Sequence, residues 1–455
     1  MIRATTIGVL KNYRYGLNNS FVKMNDARTT VLTHRNFNSF AEDPSAAALS
    51  FQLRRSRMAV ESQKTVCDTT YRRFQSAFSS LDTIINDVDN ANGKFDETIK
   101  EAGLKGLNDP TGDARTALAK VIRETADSLV QVMNNTYAGT FLFSGADGQT
   151  VPFTWGQNGE LLYRGIPVDA SVPETLSYTD TGAEQKVTLK LDTNGNYDAN
   201  GDDYYMLAGK SELVEFDPNG GIPEGALRNA AGDAVILKED GTAYVDMNEV
   251  NTAIGNGEKC YFAVVEEGGT ISQEDYNTEV ENAEKLRYLS EDEKLFMDIG
   301  LGNKEDEDGN VISTSVFDSA LQGINFLGYG KDADGDPKNL VSIVKQMSNI
   351  LDKVQDGQLS VDDYNDLFRL TGKFEDASQR LQDAHVAMDA SSRTLSHNLD
   401  LLDDNYDTLV EQYAEIEDVD DADAISAFLW ASYSYNAALR VGNSILAQSL
   451  MDYMQ

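Results

Sequence analysis

The sequence predicts a mainly α protein with an inserted β-rich domain, its two chain ends forming an elongated antiparallel helical rod. Three observations predict it. Apolar residues recur every seven positions over long stretches near both ends. Those ends, about 1–137 and 340–455, contain only Pro44 and Pro110 of the eight prolines. The middle, 138–339, is rich in Gly, Asp and Asn and carries short alternating runs. Three parts follow: terminal helices at 1–42 and 418–455, a helical rod domain at 43–137 and 340–417, and a β-rich domain at 138–339.

A first amphipathic helix is expected from about Ile7 to Leu32, with Leu10, Tyr13, Leu17, Phe21, Met24 and Val31 near one stripe. Gly16, Asn18 and Asn19 interrupt it, so its stability depends on burying that stripe. A loop ends at Asp43-Pro44, a good N-cap followed by a residue suited to the first helical position. Beyond it Ala46, Leu53, Val60, Cys67, Phe74, Leu81 and Val88 are spaced seven apart. Leu49 and Ile84 belong to the companion position, with Ser56, Gln63 and Thr70 between them. The pattern predicts one helix of roughly 45 residues, about 65 Å long. A shorter helix is expected near Asp113–Tyr137, using Leu118, Val121, Ile122, Leu129, Val132 and Met133.

The C-terminal end mirrors this. Ser360 to Asp363 has the spacing of a capping box. Leu367, Phe374, Leu381, Met388, Leu395, Leu402 and Leu409 then recur every seven residues, with Tyr364, Leu399, Tyr406 and Tyr413 on a second seam. An acidic break at 417–423 precedes a last helix carrying Ile425, Phe428, Tyr435, Leu439, Leu446 and Tyr453 on one side. Sustained seams cannot bury themselves, so the simplest solution pairs long helix with long helix and terminal helix with terminal helix. Periodicity alone leaves a compact helical bundle with an inserted domain equally open.

In the middle, 150–155 and 160–164 flank Gly156-Gln157-Asn158-Gly159 as a β-hairpin. Lys186–Leu191, Ala234–Leu237, Ala243–Met247 and Tyr261–Val265 are further strand candidates, so the insert is expected to be mostly β.

The formal net charge of −37 argues against nucleic acid and against docking on an anionic membrane. Free copies repel one another, so self-assembly requires apolar burial or local charge pairing. No apolar run approaches a membrane span, and no cleavable signal is read at the N-terminus. Cys67 and Cys260 lie far apart and imply no disulfide framework; Cys67 reads as a core residue. The three histidines, His34, His385 and His397, form no catalytic or metal motif and read as structural. Two Asp-rich stretches, Asp192–Asp203 and Asp332–Asp336, have the alternating oxygens of calcium loops. The first has Tyr197 where such a loop needs Gly and neither ends in the bidentate Glu, so we read both as hydrated turns and expect no metal and no cofactor. Arg54, Arg55, Arg57, Arg72 and Arg73 read as a solvated face that in a polymer meets acidic C-terminal segments of a neighbour.

Several segments resemble the flagellin and flagellar hook-associated family. Phe40-Ala41-Glu42-Asp43-Pro44-Ser45-Ala46-Ala47 is similar to its Asp-Asp-Pro segment, with Phe40 and Glu42 as departures. Ile416–Ala424 resembles the matching C-terminal break, and Ser449-Leu450-Met451-Asp452-Tyr453 the end of the hook-associated protein 3 (FlgL) branch. Thr140-Phe141-Leu142-Phe143-Ser144-Gly145 is similar to a segment of that branch where the rod gives way to the outer domain. The resemblance covers a little over half of the chain, both ends but not the middle.

The resemblance implies a non-enzymatic junction subunit between hook and filament, extracellular and exported without a cleaved signal peptide. It implies a homo-oligomeric ring, contacts with a neighbouring hook-associated protein and flagellin, and an export chaperone. The terminal helices are then expected to be poorly ordered alone, with assembly contacts through Leu10, Leu17, Phe21, Phe428, Leu439, Leu446 and Leu450. Asp43, Pro44, Phe141, Leu142, Phe143 and Gly145 carry the family motif. A filament-forming flagellin is the alternative, and an insert displaying an enzyme or a calcium module is a third reading.

Overall fold

A computed structural model describes the chain except residues 1, 90–94, 107–112, 181–182, 219, 239–241, 245, 303, 307–308, 310, 313–314, 354–358 and 454–455. Its helices are α1 (Ile2–Thr33), α2 (Pro44–Asp89), α3 (Phe95–Gly106), α4 (Asp113–Met133), α5 (Met247–Gly255), α6 (Gln273–Arg287), α7 (Gly323–Leu327), α8 (Leu340–Asp352), α9 (Val361–Glu417) and α10 (Asp421–Tyr453). Short antiparallel sheets fill most of the span between α4 and α8. The protein is thus mainly α with inserted β structure. The chain forms two compact units, 1–72 with 297–317 and 392–455, and 73–296 with 318–391.

The first unit is built on helix pairing. On α2, Leu53, Val60 and Cys67 are buried; on α9, Leu395 and Leu402 are buried in turn. The run is antiparallel: Ser50 meets Glu417, Arg54 meets Tyr413, and Cys67 Sγ approaches the Leu395 carbonyl. Burying each such Leu or Val contributes about 1.5–3 kcal/mol, which a lone amphipathic helix could not gain. Both helix starts follow the expected chemistry. Asp43 Oδ1 accepts from the Ser45 and Ala46 amides at 3.0 and 2.9 Å, with Pro44 next in line. Ser360 Oγ accepts the Asp363 amide at 3.0 Å and donates to its carboxylate at 2.7 Å.

Leu49 departs from the expected seam. It is exposed, and Ser50 takes the inward place because its hydroxyl donates to the buried Glu417. A strap from the middle of the chain, residues 297–317, belongs to this unit. Asn398 Nδ2 donates to the Ile299 carbonyl at 2.5 Å, and Gly300, at φ +88°, lies against Leu402 and Gln63. Nothing in the periodicity announces this strap, since its anchors are single side chains such as Ile299 and Asn398 rather than a repeating stripe.

In the second unit, α4 packs along α8. Ala119, Ile122, Ala126, Leu129 and Met133 face Leu340, Ile343, Val344, Met347 and Leu351, all buried. Val121, expected inside, is exposed, and the small Ala119 and Ala126 let the backbones approach. The Ser348 hydroxyl donates to the Ala119 carbonyl at 2.9 Å across that contact. Asn339 caps α8, accepting from the Val341 and Ser342 amides while donating to the Gly328 carbonyl. The sequence periodicity does not mark α3 and α8 as separate elements. α4 ends at Met133, short of Tyr137, where Ala138 and Gly139 turn the chain at positive φ.

The insert contains the expected hairpin, Phe153–Trp155 antiparallel to Leu161–Tyr163. A three-stranded sheet orders Thr270–Ser272, Asp202–Met206 and Thr188–Leu191; a four-stranded sheet orders Ser211–Glu215, Cys260–Val265, Ile236–Lys238 and Ala243–Tyr244. Alternation decides what each face covers. Leu237 and Ala263 join Val187, Leu189, Leu191 and Met206 in one core, whereas Ile236, Cys260 and Phe262 join Val250 and Ala253 of α5 in another. The insert is less β than expected. Met247, placed in a strand from sequence, opens α5, because Asp246 accepts the Asn248 amide and caps it. Helix α6 is likewise capped, Ser272 Oγ accepting from the Asp275 amide.

One carboxyl in this unit is held against its charge. Burial raises the pKa of Asp169 to about 6, reinforced by the Glu279 carboxylate and opposed by the Ser342 hydroxyl and Lys331. Its folded pKa lies above the unfolded value of about 3.9, so stability falls as pH rises from about 4 to 6 and stays lower above. Asp169→Asn should therefore stabilise the protein by about 2 kcal/mol at pH 7.5 and leave pH 4 nearly unchanged, read by thermal melting at both values.

Candidate assembly face

Helices α1 and α10 pack along each other in an antiparallel pair. His34 meets Asp421, Phe21 meets Tyr435 with ring centroids 5.7 Å apart, and Tyr13 lies against Gly442. A Cβ at Gly442 would overlap the Tyr13 phenol, so close approach requires glycine there. The inward side of α1 carries Leu10, Tyr13, Leu17 and Met24, all half-buried. On α10 the inward side is Ala424, Phe428, Tyr435, Ala438 and Gly442, a line of small residues broken by two aromatic ones. Ile425 and Leu439, expected on that side, are exposed, because the seam follows the small residues instead.

A polar clasp closes the pair where both chains break. Asn36 donates through its amide to the Glu417 carbonyl at 2.8 Å and through Nδ2 to the carbonyls of Ile416 and Asp418. The Val419 amide donates to the His34 carbonyl. At the centre is the Glu417 carboxylate, 4% exposed, paired with Arg35 at 3.1 Å and Arg54 at 3.4 Å and accepting from the Ser50 hydroxyl at 2.8 Å. Burial works against its charge, but hydrogen bonds from Tyr413 and Ser50 and the fields of Arg35 and Arg54 outweigh it, holding it below the usual range. Arg54 and Arg57 both lie over the Tyr413 ring. The arginine cluster is therefore not a uniform solvated face: Arg54 serves this clasp within its own chain, and Arg73 donates to the carbonyls of Leu142 and Ser319. Asp43, beside the clasp in sequence, is held below its usual range by the Ala46 amide and the Ser45 hydroxyl.

The outer surface of the pair carries large apolar side chains. Tyr15, Val22 and Leu32 on α1 and Ile425, Leu429, Trp430, Tyr433 and Val441 on α10 are all exposed. Trp430 is 74% exposed and Tyr433 68%, and their rings meet edge-on with centroids 6.5 Å apart. Of the residues expected to make assembly contacts, Leu10, Leu17 and Phe428 are half-buried inside the pair, while Phe21 and Leu439 remain exposed. The side chains of Leu446 and Leu450 lie outside the described residues. In the single chain, then, the two ends already cover part of each other.

The Phe141–Gly145 segment lies in the second unit and acts as a structural knot. Leu142, Phe143 and Ser144 are buried. The Phe143 carbonyl accepts from Tyr163 Oη at 3.0 Å and from the Gly323 amide at 2.8 Å. Ser144 and Gly145 pair with Leu321 and Gln322. Gly145, at φ +75°, abuts the Glu293 carboxylate, which Arg164 grips at 2.7 and 3.0 Å. Any side chain at Gly145 would be strained by its backbone and would displace Glu293.

No catalytic constellation appears among the described residues. His385 stacks on Phe78 at 4.1 Å, and His34 pairs with an exposed Asp. The group of metal-type side chains found among those residues is Asp332, Asp334 and Asp336, already met by Lys373 and Arg369. In the other acidic loop Asp192 Oδ1 accepts the Asn194 and Asn196 amides, as in a turn. No described helix is long and apolar enough to cross a membrane.

No protein-family model matches the chain, and no curated protein does. Among solved structures it is similar to a chain assigned as a flagellar hook-associated protein of Vibrio parahaemolyticus (11% identity, 83% of this chain and 100% of that one, TM-score 0.40). It is also similar to flagellar hook-associated protein-3 of Legionella pneumophila (13%, 80% and 98%, 0.36) and to FlgL of Xanthomonas campestris (14%, 79% and 99%, 0.36).

The clasp predicts an acid-sensitive pairing. Glu417 has a depressed folded pKa, so its stabilisation is present above about pH 4.3 and is lost as pH falls through the folded value. Glu417→Ala should destabilise the first unit by about 2–3 kcal/mol at pH 7, and Glu417→Gln should flatten the acid limb of a pH-dependent melt.

Proposed function

We propose that this chain is a structural subunit of the bacterial flagellum, placed at the junction between hook and filament. The observation that carries the reading is the pairing of α1 with α10, which leaves Leu429, Trp430 and Tyr433 on the outside. A subunit that packs by its chain ends needs such a face, since each large side chain covered by a neighbour contributes about 1–3 kcal/mol. Residues 1–42 and 418–455 are the assembly helices in this reading, 43–137 with 340–417 the rod, and 138–339 the outer domain. The partners are further copies in a ring, a neighbouring hook-associated protein, flagellin and an export chaperone. The subunit acts outside the cell, exported without a cleaved signal peptide, and performs no catalysis.

A filament-forming flagellin is the second reading, since it would use the same paired ends. The Phe141–Gly145 knot, buried and paired with Leu321–Gln322, favours the junction subunit, whose branch carries a similar segment. Immunolabelling of isolated flagella separates the two: a band at one proximal position is expected, and label along the whole shaft would sink the junction reading. Truncation after Ile425 should leave the remaining chain folded by circular dichroism but abolish incorporation into flagella; incorporation of the truncated chain would refute assembly through α10.

A further inference from the structure

Charge along the chain is far from uniform. The protein carries −37, yet α1 has five cationic side chains, Arg3, Lys11, Arg14, Lys23 and Arg28, against the one carboxylate of Asp26. At 3.6 residues per turn, Lys11, Arg14 and Arg28 fall on one flank of the helix, within about 100° of arc. Lys11 and Arg14 are exposed and form no ion pair among the described residues. They line an open cleft of about 640 Å³ together with Tyr15, Leu17, Asn18, Phe21 and Tyr435. The cleft therefore sets two cations beside aromatic rings on a strongly acidic molecule.

A complementary surface lies elsewhere in the same unit. Asp400, Asp404, Asp407, Glu411 and Glu415 are spaced four, three, four and four apart on α9. That spacing confines them to about 80° of arc over about 22 Å. All five are exposed. The other two acids of this stretch are already neutralised, Asp403 by Lys64 and Glu417 by Arg35 and Arg54. The flank from Lys11 to Arg28 spans about 25 Å of helix, a close match in length to the acidic stripe.

We propose that the cleft bordered by Lys11 and Arg14 docks the acidic α9 stripe of a second copy of this chain. The contact is head-to-tail, because the two surfaces differ, and such contacts repeat into rings or helical arrays. It rests on the flagellar assembly reading and names the partner surface within it. Local pairing of this kind lets copies with a high like charge approach, and the Tyr15, Phe21 and Tyr435 rings beside the cations add burial once they do. The attraction is screened over about 10 Å at 0.1 M salt, so association weakens as salt rises.

The test is self-association of the full-length chain by sedimentation velocity at 20 and 300 mM salt. Lys11→Glu with Arg14→Glu should weaken low-salt association roughly tenfold or more. Mixing that variant with an Asp404→Lys, Glu411→Lys chain should restore association between the two, while each alone stays monomeric. Circular dichroism confirms that both fold. A wild-type chain that is monomeric at every concentration and salt, charge variants that associate like wild type, or loss without rescue on mixing would each overturn the docking. Immunolabelling at the junction would in those cases still stand, separating this failure from failure of the flagellar reading.

Discussion

Both ends of this chain are amphipathic helices that cannot satisfy their own apolar stripes, and the rest of the first unit follows from how they satisfy each other. α1 finds α10, and the first part of α2 finds the last part of α9, in both cases antiparallel. An antiparallel match between sequence-distant ends requires the chain to leave and return, and the long middle segment makes that excursion. The entropic cost of so long a closure grows only slowly with its length, so a large insert is compatible with a stable pair.

The two helix breaks must register for this to work. At 34–43 and 418–420 neither segment is helical, and each supplies partners for backbone groups of the other. Asn36 takes three carbonyl contacts from the 416–418 turn, and Glu417 gathers Arg35, Arg54 and Ser50 around one buried carboxylate. Removing any one of these partners would leave the others facing an uncompensated buried charge, so the clasp resists a change of register. Sliding α2 by one turn against α9 would take Arg54 and Ser50 away from Glu417 and leave Arg35 as its remaining partner, whereas a purely apolar seam would tolerate the shift better.

The second unit solves a different problem with the same elements. Helix α8, buried on most sides, packs along α4, and the four-stranded sheet carries a core on each face. The Phe141–Gly145 knot works through backbone groups as much as side chains. Its carbonyls and amides are shared among Tyr163, Gly323 and the Leu321–Gln322 strand, and its glycine accommodates the Glu293–Arg164 pair. That explains why a short run with only three large apolar residues can organise so much of its surroundings.

What the residue order alone determined is whatever repeats or caps locally. The seven-residue seams from Leu53 to Val88 and from Leu367 to Leu402, the Asp43 and Ser360 caps, and the hairpin around Gly156–Gly159 all depend on neighbours within a turn or two, and each could be read directly. The choice between two positions on one helix could not. Leu49 yields to Ser50, Val121 to Ala119, and Leu439 to Ala438 and Gly442, because a hydroxyl facing Glu417 or a small residue under Tyr13 outweighs one more buried methyl group. The clasp and the 297–317 strap were likewise decided by tertiary structure. Their partners are separated by tens to hundreds of residues, so the signal that places them exists only once the chain has folded back on itself.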